Sequence, residues 1–403
     1  MSTVVLLGTL DTKGTEYGYL RDRLRLAGVD TLLVDVGTGG PPTVEPDIAR
    51  DEVAKAAGVI LAGLDDRGAA VSAMADAAVV TVLRLHAEGR LDGLLAAGGS
   101  GGTAIATQAM RALPVGVPKL MVSTVAAGDT REYVGAVDLT LMASVTDVAG
   151  VNSISGRILA NAAAAMAGMV GAPPVELGEQ RPLIGATMFG VTTPCVTAAR
   201  EALEARGYEV LVFHATGTGG RAMEGLVRSG FLAGVLDATT TELCDELVGG
   251  VLSAGPDRLE AAGAAGLPQV VSLGALDMVN FGARESVPVR FADRTLYVHN
   301  PQVTLMRTTP GECAELGRLI ARKLSAATGP VALYVPLRGV SLIATEGQPF
   351  HDPVADDALF GALREGLGDN VELHEEATDI NDPAFAAAMA ARLDELVRER
   401  VPA

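Results

Sequence analysis

The sequence predicts an α/β protein built from two Rossmann-like domains, with mainly parallel sheets and a cleft between them. Three observations predict it. Short apolar runs alternate with helical patterns along the whole chain, as βαβ units require. The runs are predominantly apolar rather than alternating, which marks strands covered on both faces of a parallel sheet. The second half then repeats the order of elements found in the first. At 403 residues the chain exceeds one typical domain.

In the first half the strand-like runs are residues 4–7, 31–36, 93–97 and 119–124; in the second they are 183–187, 210–214, 234–236 and 269–273. Residues 16–27 and 194–206 read as the helices after the first strand of each half. The stretch 28–40 resembles 207–220, and both end on Gly-Thr-Gly-Gly. Pro118 and Pro268 each lead into a later strand. A Pro- and Gly-rich stretch, 171–181, reads as a linker, giving domains 1–175 and 176–403. The tail adds helices over 353–367 and 382–398 around a short strand at 371–373.

Composition narrows the function. With 49% hydrophobic and 20% charged residues, a large core is available and a disordered chain is excluded. A net charge of −18 excludes nucleic acid as the main partner, since phosphate backbones need a basic face. Small anions stay possible, because backbone amides can hold them. The start lacks a basic segment and meets Asp11 early, so no signal peptide is expected. The longest uncharged run, 158–175, is mostly Ala and Gly and carries Asn161, so it reads as an interior helix rather than a membrane span. A cytoplasmic protein without a membrane partner is expected. Cys195, Cys244 and Cys313 are far apart and odd in number, which points to reduced, buried thiols.

In open parallel sheets ligands bind beyond the carboxyl ends of the strands. The densest such end is Gly98, Gly99, Ser100, Gly101, Gly102 and Thr103, followed by a helical pattern. Glycines let the backbone approach a ligand closely. Converging amides and a helix N-terminus then favour an anion, above all phosphate. A second loop, Gly217, Thr218, Gly219, Gly220 and Arg221, offers the same physics, with Arg221 as an added cation or a surface ion-pair partner. Both loops fit a loose G-x-G-x-x-A, yet neither follows the first strand of its half, and no Walker A is present.

Polar clusters follow other strands. Ser123, Thr124 and Asp129 form one; Ser144, Thr146, Asp147, Asn152 and Ser153 form another. Thr187, Thr192 and Thr193, then Asp237 to Glu242, then Asp277 and Asn280, form three more. Each alone could cap a helix; together they suggest a polar cleft. Asp129, Asp237 and Asp277 are the candidate magnesium carboxylates. His214, at a strand end, and His299 are candidate acid, base or phosphate donors, beside Arg307. Neither H-E-x-x-H nor G-x-S-x-G occurs.

Several long motifs carry a resemblance. They are Gly8-Thr-Leu-Asp-Thr-Lys-Gly14, Gly98-Gly-Ser-Gly-Gly-Thr103, Pro118-Lys-Leu-Met-Val-Ser-Thr124, Phe213-His-Ala-Thr-Gly-Thr-Gly-Gly220, Asp277-Met-Val-Asn-Phe-Gly282 and His299-Asn-Pro-Gln-Val-Thr-Leu-Met-Arg307. To about Phe360 the chain resembles the ATP-binding domain family of the tomato mosaic virus resistance protein's N-terminal domain and its bacterial relatives. The resemblance implies two α/β subdomains, ATP and Mg²⁺ as cofactors, and a homodimer. The plant protein also has a TIM-barrel-like half, which here would be a separate partner protein. One departure stands out. Where Gly-Val-Ser and then an Asp are expected, the chain has Gly339-Val-Ser-Leu-Ile-Ala-Thr-Glu346, which leaves that carboxylate's role open or passes it to Glu346.

The expected function is an ATP-dependent enzyme, a ligase or a phosphoryl or adenylyl transferase, acting on a small carboxylate-bearing metabolite. Such transfers need donors, a cation and positioning more than covalent chemistry from the protein. Two alternatives stand beside it. One is a non-catalytic, nucleotide-responsive binding or regulatory protein. The other is an NAD-dependent oxidoreductase, resting on the loose glycine fingerprints.

Overall fold

The first strand, β1 (Thr3–Gly8), is buried along five of its six residues. Its pleat sends Val4 and Leu6 into one apolar cluster and Val5 and Leu7 into another. That two-sided burial is what an uninterrupted apolar run encodes. The computed structural model describes residues 2–59, 66–173 and 180–400. Within it the chain divides into two units, Met1–Glu176 and Leu177–Ala403. Most of the expected linker, residues 174–179, lies outside the described residues.

In unit 1, β1 is followed by α1 (Leu10–Leu26), β2 (Asp30–Asp35), α2 (Arg50–Ala56), α3 (Arg67–Ala87), β3 (Gly93–Gly98), α4 (Ser100–Ala112), β4 (Lys119–Ser123), α5 (Arg131–Val134), β5 (Thr140–Ala143) and α6 (Ser155–Gly171). The sheet runs β2-β1-β3-β4-β5, parallel throughout. On one face α1 and α6 bury Leu10, Tyr17, Leu20, Leu159 and Met166 against Val4, Leu6, Leu95 and Leu120. On the other, α3 and α4 bury Met74, Leu85, Ile105 and Met110 against Val5, Leu7 and Leu94.

The run 158–175 is an amphipathic helix within its described part, with Leu159, Ala162, Ala163 and Met166 buried. A different helix, α3, is long and apolar enough over Gly68–Ala87 to cross a membrane by length and composition. Its Met74, Ala77, Ala78, Val82 and Leu85 belong to the core of unit 1, which accounts for the apolar composition.

Unit 2 continues with β6 (Leu183–Met188), α7 (Thr193–Glu204), β7 (Glu209–His214), α8 (Thr218–Arg228), β8 (Leu232–Thr239), α9 (Glu242–Val248), α10 (Ala261–Ala264) and β9 (Gln269–Gly274). There follow β10 (Met278–Phe281), β11 (Leu296–Asn300), β12 (Val303–Arg307), α11 (Pro310–Ser325), β13 (Val331–Pro336), α12 (Pro353–Gly366), β14 (Val371–Glu376) and α13 (Pro383–Arg400). Six parallel strands run β14-β13-β9-β8-β6-β7. Four of them, β7-β6-β8-β9, repeat the β2-β1-β3-β4 order of unit 1.

A three-stranded antiparallel sheet, β10-β12-β11, was not foreseen. Its strands are four or five residues long and carry Asn280, His299 and Arg307. Those polar residues make them read as site motifs rather than as strands.

Candidate functional site

In unit 1 the strand order reverses between β1 and β3. Loops leave such a point toward opposite faces and open a crevice there. The β1–β3 ladder covers Val4–Leu6 against Gly93–Leu95. Beyond it the Tyr17 hydroxyl takes over. It lies 2.6 Å from the Leu7 carbonyl and 3.1 Å from that of Ala97, and accepts from the Ala97 amide at 2.8 Å. Gly8 makes room for the ring, since a Cβ there would come within 2.0 Å of it.

On the β3 side of the crevice Gly99 precedes α4, and no side chain caps the helix. Its first amides are thus available, with the partial positive charge of a helix start. Thr103 Oγ1 donates to the Gly99 carbonyl at 2.8 Å and lies 2.7 Å from Ser123 Oγ. Ser123 Oγ also accepts from the Val125 amide at 3.1 Å. Thr124 Oγ1 lies 3.8 Å from where a Gly99 Cβ would stand. A Cβ on Gly101 or Gly102 would meet nothing within 4 Å, and neither residue has a positive φ. Glycine inside a helix costs roughly 1 kcal/mol relative to alanine. Neither packing nor backbone geometry therefore calls for glycine at 101 and 102, and the start of this helix faces open space.

A cavity of about 320 Å³ opens at the ends of β4 and β5, lined by Ser123, Thr124, Ala127, Ser144, Val145 and Asp147 among others. That volume is at the lower end of the range for small-molecule pockets. Ser144 Oγ donates to the Thr146 carbonyl at 2.6 Å and pins the turn. Between them Val145 has φ +62° and is 80% exposed. A left-handed β-branched residue costs on the order of 1–3 kcal/mol, and such strain concentrates at functional sites.

The second glycine loop behaves differently. Amides of Gly217 and Gly220 both donate to Glu242 Oε1, at 2.7 and 3.0 Å. The expected open nest over Gly217, Thr218, Gly219, Gly220 and Arg221 is thus filled by the protein's own carboxylate. Packing explains its glycines. Gly217 has φ +84°, a Gly219 Cβ would lie 1.9 Å from the His214 carbonyl oxygen, and a Gly220 Cβ 2.0 Å from Glu242. Arg221 donates to the Ser253 carbonyl at 3.3 Å, at the surface.

Glu242 is also held by Arg258 Nε at 2.7 Å. The same wholly buried guanidinium grips Asp237 twice, at 2.5 and 2.7 Å, and reaches Glu224 at 3.5 Å. Three carboxylates around it keep Arg258 firmly charged. Asp237 also accepts from Thr187 at 2.7 Å. As a magnesium candidate Asp237 is therefore taken, both oxygens being bound inside the protein.

The other two carboxylates are elsewhere. Asp129 is an exposed residue of unit 1, tied to Arg131 at 2.5 Å, and that pairing holds its carboxyl down at about 2. Asp277 is buried in unit 2, where it accepts from Ser341 at 2.8 Å and leaves Oδ1 without a partner. Burial pushes its carboxyl up to about 6, against the pull of the Arg307 guanidinium. Asp129 belongs to unit 1 and Asp237 and Asp277 to unit 2, and the described residues contain no group of three or more metal-ligating side chains.

Arg307 is engaged in full: with the Phe350 carbonyl at 2.9 Å, Thr308 at 2.8 Å and Asp356 at 2.6 Å. The expectation that it meets a substrate gives way to a structural role at the end of β12. His214 is exposed at the end of β7, its ring 5.6 Å from Phe189. His299 is exposed on the edge strand β11, 6.4 Å from Tyr297. Glu346 is exposed as well, beyond the buried Ile343 and Ala344, so it does not stand in for a buried carboxylate.

Sequence reading missed Arg258, Tyr17 and the cavity beside Val145. The partners of Arg258 lie 16, 21 and 34 residues away, so no local spacing announces them. A tyrosine amid apolar helix positions reads as core. The strain at Val145 leaves no trace in composition, although Asp147 stood within a recognised polar cluster.

Residues 2–174 match the model for the N-terminal domain of the uncharacterised protein family UPF0261, and residues 181–397 the model for its C-terminal domain. A UPF0261 protein of Clostridium tetani is 53% identical over 97% of this chain and 98% of its own length. The ToMV susceptible protein tm-1 of Solanum lycopersicum is 40% identical over 96% of this chain, which spans 54% of it. Among solved structures, spinosyn rhamnosyltransferase SpnG is 13% identical with a TM-score of 0.21, covering 99% of this chain and 96% of that one. A likeness that distant carries no argument.

Proposed function

The chain belongs to the UPF0261 family, and for this member we propose that unit 1 binds the phosphates of ATP, with Mg²⁺, at the start of α4. We propose further an ATP-dependent enzyme, a ligase or a phosphoryl or adenylyl transferase, acting on a small carboxylate-bearing metabolite. One observation carries the reading: of two glycine loops, that of unit 2 is closed by Glu242, whereas Gly101 and Gly102 face open space on an uncapped helix. The hydroxyls of Ser100 and Thr124 at this helix start suit phosphate oxygens, while those of Thr103 and Ser123 are buried and bonded to each other beneath it. The magnesium of this proposal is carried in on the phosphates themselves and keeps water in its remaining positions. The resemblance of the motifs extends the proposal to a homodimer, a separate TIM-barrel-like partner and a cytoplasmic setting.

A second reading, a nucleotide-responsive protein without turnover, is favoured by the occupation of Arg307. Its guanidinium is spent on Asp356, Thr308 and Phe350. Thermal melting with ATP, ADP, AMP and NAD, each with and without Mg²⁺, tests the binding. A nucleotide at 100 times its Kd should stabilise by about 2.7 kcal/mol. No shift with any nucleotide would end the proposal. Release of ADP or AMP in the presence of small carboxylic acids separates the enzyme from the second reading.

A further inference from the structure

We propose that the cavity at the ends of β4 and β5 seats the ribose of the nucleotide, with Asp147 accepting from its vicinal hydroxyls. This rests on the reading of α4 as the phosphate site and adds the group that sets ligand specificity.

Register supplies the spacing. Gly98 pairs with Ser123, and Ser123 with Ala143, so the three stand in a row across β3, β4 and β5. Two strand spacings of roughly 4.8 Å put Ala143 about 10 Å from the glycine loop. That is a span of the order from the outer phosphates of a nucleotide to its sugar. The two ends are linked in between. Thr103 on α4 meets Ser123 at 2.7 Å, and Ser123 and Thr124 line the cavity.

The lining chemistry suits a sugar. Thr124 and Thr146 bring hydroxyls and Asp147 brings a carboxylate, while the hydroxyls of Ser123 and Ser144 are spent on holding the walls. Asp147 is exposed and engages in no hydrogen bond or ion pair among the described residues. An ionised carboxylate has only acceptor sites, so its natural guest is a pair of neighbouring O–H donors. Beside it the strained Val145 turns an apolar side chain outward, 80% exposed, where the hydrophobic face of a sugar or base would lie. The strain acquires a purpose if that side chain serves a ligand.

The test compares binding of ATP, 2′-deoxy-ATP and inorganic tripolyphosphate, each with Mg²⁺, to the native protein and to Asp147→Asn. The native protein should bind ATP about tenfold more tightly than the 2′-deoxy form, the loss expected for one hydrogen bond to a charged acceptor. Asp147→Asn should bring that ratio to within twofold of one and leave tripolyphosphate binding no weaker. Equal affinity of the native protein for the two nucleotides overturns the ribose seat and leaves the phosphate site standing. So does a ratio that Asp147→Asn fails to change. Failure of the native protein to bind either ATP or tripolyphosphate removes the phosphate site and the ribose seat together.

Discussion

Inside unit 2 the Gly220 amide and the Glu242 carboxylate meet at 3.0 Å, and Gly217 bonds the same oxygen at 2.7 Å. A helix start that in unit 1 is open is here closed by a residue of the same chain. Arg258 completes the arrangement from the other side.

Glu242→Ala should therefore be costly. It strands two buried amides and leaves Arg258 with a partner fewer. Breaking a buried ion pair from one side costs about 3–5 kcal/mol. Urea unfolding should show a loss of that size. A loss under about 1 kcal/mol would mean that water or a neighbouring carboxylate replaces Glu242 freely.

Gly101→Val should separate ligand binding from folding. A Cβ there meets nothing within 4 Å, and valine is a slightly better helix former than glycine. The melting temperature without ligand should hold or rise by a degree or two, while the stabilisation by ATP disappears. An undiminished ATP shift would take the loop out of the site.

Stability should fall between about pH 4 and pH 7. Burial raises the folded-state carboxyls of Asp277 to about 6 and of Asp245 to about 7, and raises Asp35 and Asp356 as well. Above the unfolded pKa near 4 the unfolded chain gives up these protons while the native protein keeps them. The native state then binds more protons, so unfolding becomes easier as pH rises. A shift of about two units at Asp277 corresponds to roughly 3 kcal/mol across that window. Denaturant melts at pH 4.5 and 7 should show the decline, and Asp277→Asn should reduce it. A flat profile would mean that these groups ionise freely in the folded protein.

Much of the parallel framework was legible, because a strand covered on both faces leaves a run such as residues 4–7 or 269–273 that nothing else explains. The matching order of β2-β1-β3-β4 and β7-β6-β8-β9 was visible in the paired stretches 28–40 and 207–220. The antiparallel sheet was not, because short strands bearing Asn280, His299 and Arg307 lack the apolar signature. At the candidate site the glycines at 98–102 and 217–220 looked alike in sequence. What distinguishes them is Glu242, more than twenty residues on, and a distance in space is not written in a local spacing. Asp237 and Asp277 read as metal carboxylates for the same reason: polar residues at strand ends are equally what a buried network with Arg258 or Ser341 requires.

The Tyr17 hydroxyl, wedged between the ends of β1 and β3, has a consequence for recognition. Three backbone groups fix it, so the strands are already splayed apart by a rigid spacer beneath Gly8. A gap propped open in this way does not have to be forced by an incoming guest. For the ligand proposed at this crevice, little ordering would be left for association to accomplish, and preorganisation of that kind raises affinity.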